Sequence, residues 1–189
     1  GIALDGDGDR LVMVDHLGRI ADGDQLLYVI ASDRKRAGTL QGPVVGTVMS
    51  NLGLEQKLQA EGVEFLRAKV GDRYVLAMLK EHGGVLGGET SGHLLCLDRT
   101  TTGDGLVSAL EVLAVMKRTG RPLAELVAGM PKFPQVMINV RVRERIDPTQ
   151  SQVIQDAVRR VEKVLGSTGR VVLRASGTEP VIRVMIEAE

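Results

Sequence analysis

The chain has 189 residues, 43% of them apolar, and its 24 basic side chains are matched by 24 acidic ones. That composition can bury a substantial core in one or two domains, and the charge balance argues against nucleic acid or a membrane surface as a partner held by bulk charge. No apolar run approaches the roughly 18 residues needed to cross a bilayer, and a single cysteine, Cys96 in the apolar run "HLLCLD", permits no disulfide within the chain, so an inert buried thiol and a cytoplasmic protein are expected.

The first ten residues, "GIALDGDGDR", run an apolar strand into three alternating aspartates. Opening without methionine inside one strand and closing at "IRVMIEAE" in another, the chain reads as a piece of something longer. Asp5, Asp7 and Asp9 repel one another unless a cation joins them, and the intervening glycines let three oxygens converge. Magnesium suits three carboxylates with positions left open for a phosphate oxygen, and the adjacent Arg10 suits phosphoryl transfer. A structural calcium loop also begins D-x-D-x-D, but it continues with glycine and carries glutamate at its twelfth position, where this sequence has Arg10 and His16. A haloacid-dehalogenase-like phosphatase, with Asp5 as nucleophile, is the other alternative.

Beyond the loop, apolar strands alternate with amphipathic helices, the pattern of an α/β fold with a parallel or mixed sheet covered by helices on both faces. "PVVGTV" (43–48), "VEFLRA" (63–68) and "GVLGG" (84–88) read as strands. Asp22 with Gln25 predicts a capped start for the helix "DQLLYVIASDRKR", and Asp72 a cap for "RYVLAMLKEHG". In "GDGLVSALEVLAVMK" the stripe Leu106, Ala109, Leu110 and Leu113 is expected to pack inward. The loop "GGETSGH" presents Glu89, Ser91 and His93 between two apolar strands, where a carboxylate can take sugar hydroxyls and an imidazole can move a proton.

The pattern breaks at "VAGMPKFPQ". The predicted division is 1–17 and 18–128, a linker at 129–134, and a small, incomplete C-terminal α+β domain at 135–189. Its first strand, "QVMINVRVR", alternates so that Val136, Ile138, Val140 and Val142 share one face, as in a half-exposed strand. Asp147 and Pro148 are expected to open the helix "IDPTQSQVIQDAVRRVEKVL", with Ile154, Ala157, Val158 and Val161 as its stripe. In "RASGTEPVIR" a Ser176–Gly177–Thr178 turn bracketed by Arg174 and Arg183 reads as a phosphate cradle, with Arg183 on the face away from the small core.

In order and spacing, "DGDGDR", "GETSGH" and "RASGTEPVIR" resemble the metal, sugar and phosphate loops of the α-D-phosphohexomutase superfamily. "RAKVGDRYV", "TTTGDG" and "VGTVMSNLGLE" resemble the branch that interconverts glucosamine 6-phosphate and glucosamine 1-phosphate. The resemblance implies a four-domain enzyme working through a phosphoserine and a 1,6-bisphosphate. Its phosphoserine loop, in the first domain, is not in this sequence. It implies further that Asp5, Asp7 and Asp9 hold Mg2+ and that Arg10 touches the transferred phosphate. Glu89 and Ser91 bind sugar hydroxyls, with Lys69, Asp72 and Arg73 in a second substrate loop, and His93 serves proton transfer. Arg174, Ser176, Gly177, Thr178 and Arg183 hold the other phosphate. The implied partners are a small phosphosugar and the remaining domains of the same protein.

Overall fold

Short apolar runs ending in glycine, each followed by a capped amphipathic stretch, fold in the computed structural model into strands and helices in strict alternation. The structure describes residues 1–144, 146–176 and 179–189, in two units, 1–132 and 133–189.

In the first unit, β1 (Ile2–Leu4), β2 (Leu11–Val14) and β3 (Ile20–Ala21) make an antiparallel sheet. A second sheet, in the order β5-β4-β6-β7, is built from β4 (Val44–Thr47), β5 (Phe65–Ala68), β6 (Leu86–Gly88) and β7 (Leu94–Cys96). Strand β4 runs parallel to β5 and β6, and β7 returns antiparallel, so the sheet is mixed. The period of two in β4 sends Val44 into one hydrophobic cluster, with Leu26, Leu27, Leu86 and Val112, and Val45 into another, with Val75, Leu79 and Leu95. Helices therefore cover both faces. Helix α1 (Gly23–Arg36) packs against α2 (Leu52–Ala60) and β6, and α3 (Asp72–His82) packs against β4, β5 and β6. Cys96 is buried, and burial pushes its thiol up to about 11, in keeping with an inert side chain.

The start of α1 is the expected capping box: Gln25 N–H donates to Asp22 Oδ1 at 3.1 Å and Asp22 N–H to Gln25 Oε1 at 3.3 Å. The start of α3 differs from expectation. Gly71, at φ 126°, occupies the cap position without a side-chain bond, and Asp72 is the first helical residue.

Helix α4 (Gly105–Thr119) corrects the predicted stripe. Leu106, Leu110 and Leu113 are exposed by 59%, 56% and 38%, whereas Ser108, Ala109, Val112 and Val115 face inward. The helix is apolar nearly all round, so spacing alone offered two faces. The face with smaller side chains is the one that packs against α1, β2 and β7. A short α5 (Leu123–Val127) completes the unit.

The second unit is an antiparallel sheet in the order β8-β10-β9, formed by β8 (Gln135–Arg141), β9 (Gly169–Ala175) and β10 (Val181–Ala188), with α6 (Gln152–Leu165) packed against β9. Asp147 caps a 3-10 turn at Pro148–Gln150, and α6 opens after Ser151 instead. Half-burial of α6 falls at Ile154, Ala157 and Val158, while Val161 is exposed. Strand β8 is not half-exposed but exposed on both faces, because α6 lies over the opposite edge of the sheet.

Candidate functional site

Parallel strands β4, β5 and β6 end at one edge, which is where open α/β sheets place their sites, and they deliver three loops there: 48–51, 69–71 and 89–93. The aspartate loop joins them from β1. It turns at Gly8, whose N–H donates to the Asp5 carbonyl at 3.2 Å, and Arg10 N–H donates to Asp5 Oδ1 at 3.1 Å. One carboxylate oxygen each from Asp5, Asp7 and Asp9 lies within 4.8 Å of the others. Asp9 carries a buried Oδ1 with no hydrogen-bond partner among the described residues. Partial burial pushes its pKa up, His93 opposes that, and the charges of Asp7 and Asp5 add to it. Asp5 is the reverse case: desolvation raises it, but the Arg10 N–H and the bond with Asp9 outweigh that and hold it low. Three converging hard oxygens, one of them an orphan, fit a small divalent cation.

The aspartate and "GETSGH" loops are zipped together. Leu11 N–H donates to the Gly92 carbonyl at 3.0 Å, Arg10 pairs with His93 in an antiparallel bridge, and Glu89 N–H donates to the His93 carbonyl at 3.0 Å. His93 is only 4% exposed, its Nε2 lies 3.3 Å from Asp9 Oδ2, and its Nδ1 has no partner among the described residues. "TTTGDG" acquires a role here that its sequence did not reveal. Gly103 leaves room for the His93 ring, Asp104 caps α4 by accepting from Val107 N–H at 2.9 Å, and Gly105 N–H donates to the Gly8 carbonyl at 2.9 Å.

Glu89 reaches the neighbouring loop, where its Oε1 accepts from Gly71 N–H at 2.8 Å. Lys69, Asp72 and Arg73 are thus brought beside the sugar loop, although Asp72 turns inward to its own helix, accepting from Arg73 N–H at 2.7 Å. Ser91 is exposed at the loop tip. Sequence reasoning missed Tyr74, whose ring lies 5.9 Å from Lys69 Nζ and 4.6 Å from the Arg73 guanidinium. Its signal was a half-exposed aromatic in a chain with 2% aromatic residues. Arg67 was missed too. Its guanidinium donates to the Thr47 and Ser50 carbonyls at 3.0 and 2.7 Å and pairs with Glu55, pinning loop 48–51. Cavities of about 470 and 340 Å³ lie away from these loops, so the site is an open edge and not an enclosed pocket.

In the second unit, Arg174 and Arg183 are direct cross-strand partners in the β9–β10 pair, with Asn139 opposite Arg183 on the other side. Like charges directly opposed are unfavourable until an anion sits between them. Ser176 is buried, its N–H donates to the Val181 carbonyl at 2.8 Å, and its Oγ accepts from Glu179 N–H at 3.3 Å. Gly177 and Thr178, the rest of the predicted turn, lie outside the described residues. The predicted placement of Arg183 away from the core is corrected. Met185 and Glu187 share its face, and both are almost wholly buried. Glu187 tolerates burial because Arg170 Nε pairs with it at 2.6 Å and Gln135 donates to it at 2.9 Å.

Comparison with known proteins decides the family. Residues 22–133 match the model of phosphoglucomutase/phosphomannomutase alpha/beta/alpha domain III, and residues 137–189 match that of the C-terminal domain. The chain belongs to the phosphoglucomutase/phosphomannomutase family. Within that family it is 60% identical to the phosphoglucosamine mutase of Methylococcus capsulatus over 99% of its length, and 59% identical to that of Aeromonas salmonicida over its whole length. It spans 42–43% of the length of these curated relatives. Among solved structures, a phosphoglucomutase/phosphomannomutase family protein from Burkholderia thailandensis matches all of this chain and 42% of its own, with TM-score 0.77 and 25% identity. The N-acetylphosphoglucosamine mutase of Aspergillus fumigatus, solved with GlcNAc-6P and magnesium, shares the fold at TM-score 0.80 and 22% identity over 99% of this chain and 48% of its own. Family membership accounts for "GETSGH" and "RASGTEPVIR" together, which the dehalogenase-like alternative leaves without a role.

Proposed function

We propose that the full-length protein is a phosphoglucosamine mutase, which interconverts glucosamine 6-phosphate and glucosamine 1-phosphate through a phosphoserine and a 1,6-bisphosphate. This chain supplies the metal, sugar and phosphate sites, and the phosphoserine comes from the remainder of the protein. The observation that carries this reading is the joining of the aspartate loop to "GETSGH" through Asp9 and His93, 3.3 Å apart. A phosphoryl-transfer loop and a sugar-reading loop then move as one body. The high identity to phosphoglucosamine mutases favours an amino sugar over glucose or mannose.

Asp5, Asp7 and Asp9 would hold magnesium, which when bound offsets charge on the transferred phosphoryl group. Arg10, exposed beside them, contacts that phosphoryl group with its guanidinium. Glu89 and Ser91 bind sugar hydroxyls and align the attacking one, with Lys69, Arg73 and Tyr74 along the same edge. His93 exchanges a proton at Nε2 with Asp9, keeping the pair in register with the hydroxyl being activated. In the second unit Arg174, Arg183 and Ser176 bind the phosphate that is not transferred, together with Gly177 and Thr178. Because the bisphosphate must present each end in turn, a clamp for phosphate and not for one sugar face allows it to reorient.

The test uses full-length protein with magnesium and a catalytic amount of the bisphosphate. Interconversion of the two glucosamine phosphates, and an intact mass that falls by one phosphoryl group after phosphatase treatment, are expected. No turnover of the amino sugar, with brisk turnover of glucose or mannose phosphates, overturns the specificity. No turnover of any hexose phosphate overturns the reading.

A further inference from the structure

We infer that Asp24 is a positioning residue, which fixes the Glu89–Ser91 turn by holding Thr90 against the backbone of Asn51. Asp24 lies in the first turn of α1 and is fully buried. Its Oδ2 accepts two hydrogen bonds from opposite sides, from Asn51 N–H at 2.8 Å and from Thr90 Oγ1 at 2.8 Å. Its Oδ1 is buried without a partner among the described residues.

The surroundings tie this carboxylate to the sugar loop. Gly23 N–H donates to the Thr90 carbonyl at 3.1 Å, and a Cβ on Gly23 would come within 2.0 Å of the Glu89 carbonyl oxygen, so α1 is pressed directly onto the turn. On the other side, loop 48–51 is held by Arg67 through the Thr47 and Ser50 carbonyls. Asp24 therefore transmits the rigidity of the β4–β5 edge to Thr90, which stands between the two residues read as sugar ligands.

A buried carboxylate with an unpaired oxygen is a poor way to stabilise a fold, since a neutral side chain of similar shape avoids that desolvation cost. It is an effective way to bring two donors from separate loops to one point. The functional part of this inference rests on the reading of 89–93 as the sugar loop; the geometric part does not.

The test compares D24A, D24N, T90V and T90S in the full-length protein, well below its unfolding temperature. D24A and T90V are each expected to lower kcat/KM for glucosamine 1-phosphate by about 10- to 100-fold, with KM raised as well as kcat lowered, because misplacement of about 1 Å has that effect. The magnesium concentration for half-maximal activity should not move, since Asp24 does not touch the aspartate loop. A general loss of structure would shift it. D24N keeps an oxygen able to accept both bonds and T90S keeps the hydroxyl, so each should recover most of the loss. D24A/T90V should be little worse than either single variant. Equal damage by D24N and D24A, additive losses, or an unchanged KM overturns the inference. Hydrogen exchange of amides 89–93 in substrate-free protein gives an arm independent of activity. Faster exchange in D24A and T90V supports positioning even if the wild type proves inactive on hexosamine phosphates, which would sink the proposed function alone. Unchanged exchange overturns positioning whatever the activity, and T90V carries the test if D24A does not fold.

Discussion

Gly103 and His93 are packed so closely that a Cβ added to the glycine would lie 2.2 Å from the imidazole Nε2, the same nitrogen that faces Asp9. Replacing Gly103 by alanine must therefore move the ring off Asp9. Because the clash is with a side chain that can rotate, G103A should fold, with stability lowered by about 1–2 kcal/mol, while mutase activity of the full-length protein falls by about 10-fold or more. Steady-state kinetics beside a urea titration checks this, and full activity in a folded G103A would remove His93 and Asp9 from the proposed pairing.

The aspartate triplet should bind magnesium weakly in the 189-residue chain. Three carboxylates fill half an octahedron and leave the rest to water, and the proposed phosphoserine lies elsewhere in the protein. Calorimetry should show binding that D9N weakens further. Tight, calcium-selective binding would identify a structural calcium loop instead.

The arginine pair of the second unit should take phosphate without a metal. Arg174 and Arg183 stand directly opposite one another, so an anion between them relieves their repulsion and gains charge-assisted bonds of about 1.5–3 kcal/mol each. Inorganic phosphate and glucosamine 6-phosphate should perturb the NMR signals of Arg174, Ser176 and Arg183 in a salt-sensitive way, and glucosamine should not. R183K keeps the charge but loses the fork, so it should bind more weakly than wild type and more tightly than R183A. Equal binding by all three would show that the cradle lies elsewhere.

Asp24 also makes a pH-dependent contribution to stability. Burial raises its pKa to about 6 from 3.8, aided by the charge of Asp22 and opposed by the bonds from Asn51, Thr90 and Ser50. A raised carboxyl pKa means that the folded state holds the proton more tightly. The associated stability is fully present below pH 3.8 and lost as pH rises through about 6, to the extent of about 3 kcal/mol. D24N does not titrate, so its stability relative to wild type should climb between about pH 4 and pH 7 and then level off. Urea unfolding of both proteins across that range measures the difference, and a difference that falls with pH would mean a carboxylate stabilised in its ionised form.

What the sequence determined by itself is local. The Asp22–Gln25 capping box, the cap by Asp104, the tight aspartate turn and the strands bounded by glycine depend on groups a few residues apart, whose hydrogen bonds form wherever the chain goes. The chemistry of the three loops was legible for the same reason: carboxylates, hydroxyls and guanidinium groups at fixed spacing carry their meaning with them. The tertiary structure decided what lies between distant segments. Helix α4 offers apolar side chains on both faces, and only packing against α1, β2 and β7 chose the one with Ala109 and Val112. Arg174 meets Arg183 because of the register of β9 on β10, and alternation along β10 could not say that Met185 and Glu187 would be the buried pair. Asp24 reads in sequence as an ordinary acidic residue in a helix's first turn, which the dipole favours. Its two partners are 27 and 66 residues away, and only the order of strands at the edge of the sheet brings Asn51 and Thr90 to the same oxygen.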